Sequence, residues 1–528
     1  MSVALATPAE VRLELIACRE VALIDLREEG VFARGHPLFA ASLPLSRLEL
    51  EVLDRIPRKA TPIVVYGNGE GLTAYGAERL AALGYSDVRL LDGGLDGWVG
   101  AGFELFLDVN SYSKAFGELV EARAHTPGIL PEELKARLDR REDLVVLDAR
   151  RFEEYRTMSI PSGVSVPGAE LVLRAREIAP DPDTTIVVNC AGRTRSLIGA
   201  QSLINAGVPN RVLALRNGTI GWTLAGQDLE RGADRRFPEV AENREAQAAT
   251  AARAVAYRAG VRCIGPADLE RLAQDESRTL YRFDVRTPEE FAGGHAPGFR
   301  SAPGGQLVQE TDVFAPVRGA RIVLYDDTGV RADMTASWLA QMGWDVLVLE
   351  GLQASALTEK GPGAYTLPPL PAPPSIPLPE LAERLKAGKA TVIDLAPSPA
   401  YRASHIPGAA FAIRSRLIEA LARLSPDERS RIVLTSPDGL LARLAAPEAE
   451  AITGQPVSVV PGGTLAWVWA ELPLEAGEGR ALSPFEDVYR RPYEGTDSPR
   501  EAMQAYLDWE FGLVAQLERD GSHGFFVI

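Results

Sequence analysis

One pattern occurs four times along the chain, and it constrains the fold before any single residue is interpreted. The segments Ala22-Leu23-Ile24-Asp25-Leu26-Arg27, Val145-Val146-Leu147-Asp148-Ala149-Arg150, Tyr281-Arg282-Phe283-Asp284-Val285-Arg286 and Thr391-Val392-Ile393-Asp394-Leu395-Ala396 each run through apolar residues to an aspartate. At one common interval beyond those aspartates stand Gly67, Cys190, Asp326 and Ser436. Each of these follows a second apolar run: Ile63 to Tyr66, Ile186 to Asn189, Ile322 to Tyr325 and Ile432 to Thr435. Between the two runs, His36, Ser159, His295 and His405 share one offset, and Pro161, Pro297 and Pro407 follow two residues later. Past the second run come Gly94 with Trp98, Gly218 with Trp222, Gly351 without a tryptophan, and Gly463 with Trp467. Four gap-free registers of this kind mean one domain fold used four times.

Each repeat reads helix, strand, loop, strand, helix, strand. Short apolar runs alternating with helical periodicity predict a mostly parallel sheet with helices on both faces, an α/β class. The predicted organisation is a first domain over 1–110, a second over 126–238, a connecting helix over 239–258, a third domain over 259–360, a proline-rich linker over 361–379, a fourth domain over 380–475 and a tail over 476–528. The tail stretch after Ser498-Pro499-Arg500 is amphipathic through Tyr506, Trp509, Phe511 and Leu513, so it is expected to form a helix packed on the body. Ligands of such sheets bind beyond the carboxyl ends of the strands.

Cys190 lies at such an end, and the other three repeats lack a cysteine there. The run Ile186-Val187-Val188-Asn189 predicts a buried strand, Ala191-Gly192-Arg193-Thr194-Arg195 a short basic loop, and Ser196 onward a helix. Main-chain amides and a helix N-terminus facing the sulfur, with cations nearby, lower a thiol pKa from about 8.5 to roughly 3.5–7.5. A reactive thiolate is therefore expected at Cys190. Arg193 and Arg195 are expected at the mouth as cationic forks for an oxyanion, and Gly192 as the tight-turn residue. Cys18 and Cys263 have no such loop and read as inert structural cysteines. The net charge of −16 argues against nucleic acid as a partner. An odd, sparse count of three cysteines fits a reducing compartment without a disulfide framework. No zinc-type Cys/His cluster, signal-peptide pattern or membrane-length apolar run is found, so no metal, no cofactor, no membrane partner and a cytoplasmic location are expected.

The set of motifs resembles the rhodanese family of sulfurtransferases. The resembling residues are the strand-end Asp-x-Arg, the Gly-His-x-Pro-Gly stretch from Gly294 to Gly298 with a weaker form from Ser404 to Gly408, the strand-end cysteine loop, and the Gly-Gly-x-x-x-Trp close. The resemblance covers about residues 8 to 470, and Ser159 departs from it where the other repeats have histidine. It implies four tandem rhodanese-like domains, the second active through Cys190 and the others inactive through Gly67, Asp326 and Ser436. It implies a route in which Cys190 takes the outer sulfur of thiosulfate or a similar donor as a persulfide. The sulfur then passes to cyanide or a thiol. The loop residues Ala191, Gly192, Arg193, Thr194, Arg195 and Ser196 would bind substrate. Asp148 and Arg150 would brace the loop from behind.

Two other functions fit the same cysteine. One is a persulfide carrier in a sulfur relay with a partner protein, with the inactive domains as docking surface. The other is a cysteine phosphatase. That chemistry uses an arginine one residue beyond Arg195, where this chain has Ser196, so the shorter loop favours sulfur. The adjacent carboxylates Asp326 and Asp327 point apart on an extended chain and make a poor metal pair. The glycine-rich run Gly67 to Gly71 lacks the lysine of a phosphate-binding loop. The repeated histidines and Trp98, Trp222 and Trp467 read as structural residues.

Overall fold

The structure, a computed structural model, describes residues 3–67, 71–495 and 497–528. It contains four sheets, one for each repeat, flanked by helices. In the second repeat the order is Gly128–Ile129, Val212–Leu215, Thr185–Asn189, Leu144–Asp148 and Val164–Ser165, every pairing parallel. The third sheet follows the same plan; the fourth keeps Ser458–Val459, Ile432–Thr435, Thr391–Asp394 and Ala410–Phe411 in that order and adds Arg480–Ala481 beside Ala410–Phe411. The first adds an antiparallel strand, Val317–Arg318, lent by the third repeat to the edge of Val21–Asp25. Central strands such as Ile63–Tyr66 and Ile432–Thr435 are buried throughout. Their runs of β-branched residues suit a parallel sheet covered on both faces.

The sheet register explains the repeat's aspartate. Asp25, Asp148, Asp284 and Asp394 lie opposite Tyr66, Asn189, Tyr325 and Thr435, the residues that precede the cysteine positions. Aspartate and loop therefore leave each sheet side by side at its carboxyl edge. The common histidines stack on the ring four residues earlier, with centroids 3.9 Å apart for Phe32–His36, 3.7 Å for Phe291–His295 and 4.0 Å for Tyr401–His405. The tryptophans of the close donate to backbone carbonyls six residues on, Trp222 to Asp228 at 2.8 Å and Trp467 to Pro473 at 2.8 Å.

The repeats pack as a cluster. The first and third share one apolar core with the helix Ser111–Ala124 and with Leu513, Leu517 and Phe525 of the tail. The helix Glu242–Arg258 packs Ala252 and Val255 into the core of the second repeat together with Val330 and Met334 of the third. The fourth repeat docks on the first through Arg414, which makes a bidentate pair to Glu49 at 2.7 and 2.9 Å. The tail forms two helices, Arg500–Phe511 and Leu513–Asp520. No helix among the described residues is long and apolar enough to cross a membrane.

Candidate active site

The strand Thr185–Asn189 ends on Cys190, and the helix Thr194–Asn205 begins four residues later. Two supports hold the loop between them. Behind it, Arg150 donates to both Asp148 carboxylate oxygens at 2.9 and 2.8 Å and to the Met158 carbonyl at 2.6 Å. Asn189 donates to the same carboxylate at 2.8 Å. Beside it runs the turn at Gly218, whose φ of +52° few other residues adopt. A Cβ on Gly218 would fall inside the carbonyl of Cys190. That close approach lets Thr219 N donate to Cys190 O at 2.9 Å and Ile220 N to Ala191 O at 3.0 Å. The closing glycine of the motif thus fixes the loop's carbonyls.

The sulfur differs from the sequence expectation in one respect. Cys190 is 2% exposed, and its Sγ lies 3.4 Å from Ser196 Oγ. Burial pushes the thiol pKa up, against the Arg195 charge and the hydroxyl and amide of Ser196. The expected depression of the pKa is therefore reversed, because desolvation on burial outweighs one cation and the contacts with Ser196. The two arginines are also not free forks. Arg195 pairs bidentately with Glu154 at 2.7 and 2.8 Å. Arg193 pairs with Glu118 at 2.7 and 2.9 Å, contacts Glu121 and Asn217, and lies over the Phe511 ring. Of these two, Arg195 adds its field to the sulfur. Thr194 Oγ1 is buried without a hydrogen-bond partner.

The closure comes from the tail. Ala191 and Ile220 pack against Tyr493, Met503, Tyr506 and Leu507. Gly192 lies under Glu510 and Tyr506: a Cβ there would stand 3.2 Å from Glu510 Oε2 and from the Tyr506 ring. Arg500 donates to the Thr223 carbonyl at 3.0 Å and the Leu224 carbonyl at 2.6 Å, tying the tail helix to the Gly218–Leu224 helix. An open cleft of about 390 Å³ lies next to this roof, lined by Met158, Thr219, Ile220, Thr223, Tyr493 and Met503 among others. The sequence pattern predicts a tail helix packed on the body but points to none of its residues as part of the site. Nothing in a linear pattern says which surface an amphipathic helix covers.

The Rhodanese-like domain model matches residues 7–101, 130–225, 266–351 and 378–470, most of the chain. The chain belongs to the rhodanese-like family. Over its whole length this rhodanese-like chain is 60% identical to a solved thiosulfate sulfurtransferase from Pseudomonas aeruginosa, covering 100% of both chains with a TM-score of 0.98. Among curated proteins it is 34% identical over 98 residues to the HTH-type transcriptional regulator Rv0324 of Mycobacterium tuberculosis, 18% of this chain and 42% of the relative. It is 31% identical over 103 residues to YrkF of Bacillus subtilis, described as a sulfur carrier, 20% of this chain and 54% of the relative. The chain spans about half the length of the curated relatives it matches.

Two of the rhodanese repeats without cysteine show what the loop does by default. The amide six residues beyond the cysteine position faces the side chain there in three repeats: Ser196 N meets the Cys190 sulfur, Ala332 N donates to Asp326 Oδ1 at 3.3 Å and Ala442 N donates to Ser436 Oγ at 3.3 Å. In the third repeat the Asp326 carboxylate fills its own cradle. It also takes Arg331 N at 3.3 Å and Thr328 Oγ1 at 2.7 Å. Residues 68–70 of the first repeat's glycine-rich loop lie outside the described residues. Cys18 and Cys263, expected to be buried, are exposed. One follows a helix end and the other sits on the edge strand Arg262–Ile264, positions the apolar core does not reach.

The fourth repeat has Ala396 where the others have the bracing arginine. Asp394 is left with the Ala396 amide at 2.9 Å and a longer contact to Thr464 Oγ1. Burial pushes its carboxyl up to about 6, against those two groups and His405. A carboxyl raised by folding stabilises the fold at low pH, and that contribution is lost as pH rises through about 6. Asp394→Asn is therefore expected to stabilise this repeat by on the order of 2 kcal/mol at about pH 8 and to have little effect near pH 4. Thermal unfolding at the two pH values checks it, and equal shifts at both would refute the assignment.

Proposed function

We propose that this protein is a sulfurtransferase that moves the outer sulfur of thiosulfate, or of a similar sulfane donor, to a thiol or cyanide through a Cys190 persulfide. The carrying observation is that Cys190 alone among the four equivalent positions supplies a sulfur nucleophile, in a loop whose Ser196 amide and hydroxyl both meet it. The full-length relationship to a protein solved as a thiosulfate sulfurtransferase supports the same reading.

In the first half-reaction the Cys190 thiolate attacks the outer sulfur. A Cys–S–S bond forms, the sulfur–sulfur bond of thiosulfate breaks, and its electron pair leaves on sulfite. Arg195 and the Ser196 amide favour the anionic sulfur. Asp148 and Arg150 keep the loop in register and touch no substrate. In the second half-reaction the acceptor attacks the outer sulfur and the electron pair returns to Cys190. The protein incubated with thiosulfate should gain the mass of one sulfur atom, with sulfite released in equal amount. No gain would end this reading.

A second reading, a persulfide carrier loaded by a partner protein, draws on two observations. Cys190 is buried in a loop that the tail packs on at Ala191 and Gly192, and one relative is described as a sulfur carrier. It predicts slow turnover with thiosulfate and complete loading from a protein persulfide donor, so steady-state kinetics set against loading stoichiometry separate the two. Arg195→Ala is expected to slow loading about tenfold or more, because it removes the cation whose field opposes the burial penalty at the sulfur. Arg193→Ala, by contrast, should act mainly on stability. Equal effects on the loading rate would remove the distinction.

A further inference from the structure

Glu510 has no part in the chemistry above, yet the tail helix carries it onto the cysteine loop. It is 1% exposed. Tyr506 donates to its Oε1 at 2.7 Å, while Oε2 is buried without a hydrogen-bond partner and lies over Gly192. The charged groups around it are already committed. Lys114 is paired with Asp108 at 2.7 Å and faces the rings of Tyr493, Tyr506 and Trp509. Arg193 is shared between Glu118 and Glu121. Lys114 and Arg193 thus face three carboxylates before Glu510 is counted, and Arg195 is neutralised by Glu154. An enclosed pocket so balanced does not accept a second new negative charge at low cost.

We propose that Glu510 and Cys190 share one proton, the carboxyl holding it while Cys190 carries sulfur and giving it back when the sulfur leaves. This rests on the persulfide reading of Cys190. Glu510 acts through the cysteine, as a positioning residue for its proton, and does not act on the donor. With Glu510 ionised, the thiol proton passes to the carboxylate as the sulfur attacks. The Cys–S–S bond forms, sulfite leaves with the electron pair of the broken sulfur–sulfur bond, and the pocket still holds one negative charge, now on the persulfide. When an acceptor thiolate takes the outer sulfur, the returning electron pair on Cys190 receives the proton from Glu510, and the carboxylate is restored.

The surroundings of both groups agree with this. Burial and then Glu118 push the Glu510 carboxyl up to about 8, against Lys114, Tyr506 and Arg193. Glu510 in turn is one of the groups that push the Cys190 thiol up. Two acids whose ionisations oppose each other by more than about one pK unit titrate as a pair.

The test is the pH profile of Cys190 alkylation by iodoacetamide, read by mass spectrometry on the full chain without thiosulfate. Glu510→Gln keeps the side-chain shape and removes the charge. Its profile should move to lower pH by about one unit, so that at about pH 9 Cys190 reacts several-fold to tenfold faster than in the unsubstituted protein. Glu510→Asp, which keeps an ionisable group, should restore most of the original profile. Superimposed profiles for Glu510→Gln and the unsubstituted protein overturn the proposal. If Glu510→Gln does not fold, infrared difference spectra of the unsubstituted protein decide it. Loading with thiosulfate at about pH 9 should create a protonated-carboxyl band, with Cys190→Ser as the blank. Loading without that band overturns the proposal, whereas no loading at all overturns the persulfide reading and with it this proposal, which rests on that reading.

Discussion

Cys190→Ser is expected to lose sulfur loading and sulfite release altogether while the second repeat stays folded. A serine hydroxyl does not ionise in the accessible pH range and forms no persulfide. Sulfite release should therefore fall by about three orders of magnitude or more, to background. That the fold survives is argued from the chain itself, because the fourth repeat holds a serine at the same position. Ser436 is fully buried and its Oγ accepts the Ala442 amide at 3.3 Å. Serine is thus a native occupant of this loop. Mass spectrometry after thiosulfate treatment, with a melting curve beside it, checks both halves. Residual loading of the serine variant would place the acceptor sulfur elsewhere, on Cys18 or Cys263.

Gly218→Ala should have the second largest effect, and it separates loop geometry from the nucleophile. Gly218 combines a φ of +52° with a Cα packed on the Cys190 carbonyl. A methyl group there meets both a backbone conformation costing about 1–2 kcal/mol and a steric overlap that only movement of the cysteine loop relieves. Total destabilisation of at least about 2 kcal/mol is expected, together with a loading rate reduced at least about a hundredfold. Gly463→Ala is the matched control. Gly463 has a φ of +65° and the same packing on the Ser436 carbonyl. It should cost the fourth repeat a similar stability and leave loading unchanged. If the two variants load sulfur equally well, the Cys190 loop does not depend on its carbonyl anchor.

The residues that were legible from sequence and those that were not divide along a physical line. Asp148 and Arg150 are two apart in the chain, and their pairing is set by local geometry at a strand end, so the repeated Asp-x-Arg motif made the pair legible, with the bracing role implied by the family resemblance. Gly218 belongs to a repeated motif, although its reason, contact with a carbonyl twenty-eight residues earlier in the chain, needed coordinates. Arg193 and Arg195 were misread because a guanidinium's partner is chosen in space. Glu118, from the segment between repeats, and Glu154 occupy forks that looked free in the sequence. The thiol's pKa was misread for a related reason. The local loop supplies the groups that favour the thiolate, but burial outweighs them, and part of what packs on that loop is a helix more than three hundred residues away in sequence.

The amino-acid order by itself determined that one α/β unit is used four times and that sulfur chemistry can reside in a single copy. Both follow from short-range periodicity and from the identity of one side chain at a strand end. The tertiary structure alone decided that the tail packs on the cysteine loop, that the arginines are neutralised, and that Glu510 stands over the loop. Burial and electrostatic pairing are properties of what surrounds a group, and those neighbours come from the first linker, the second repeat and the C-terminal helix, which only folding brings together.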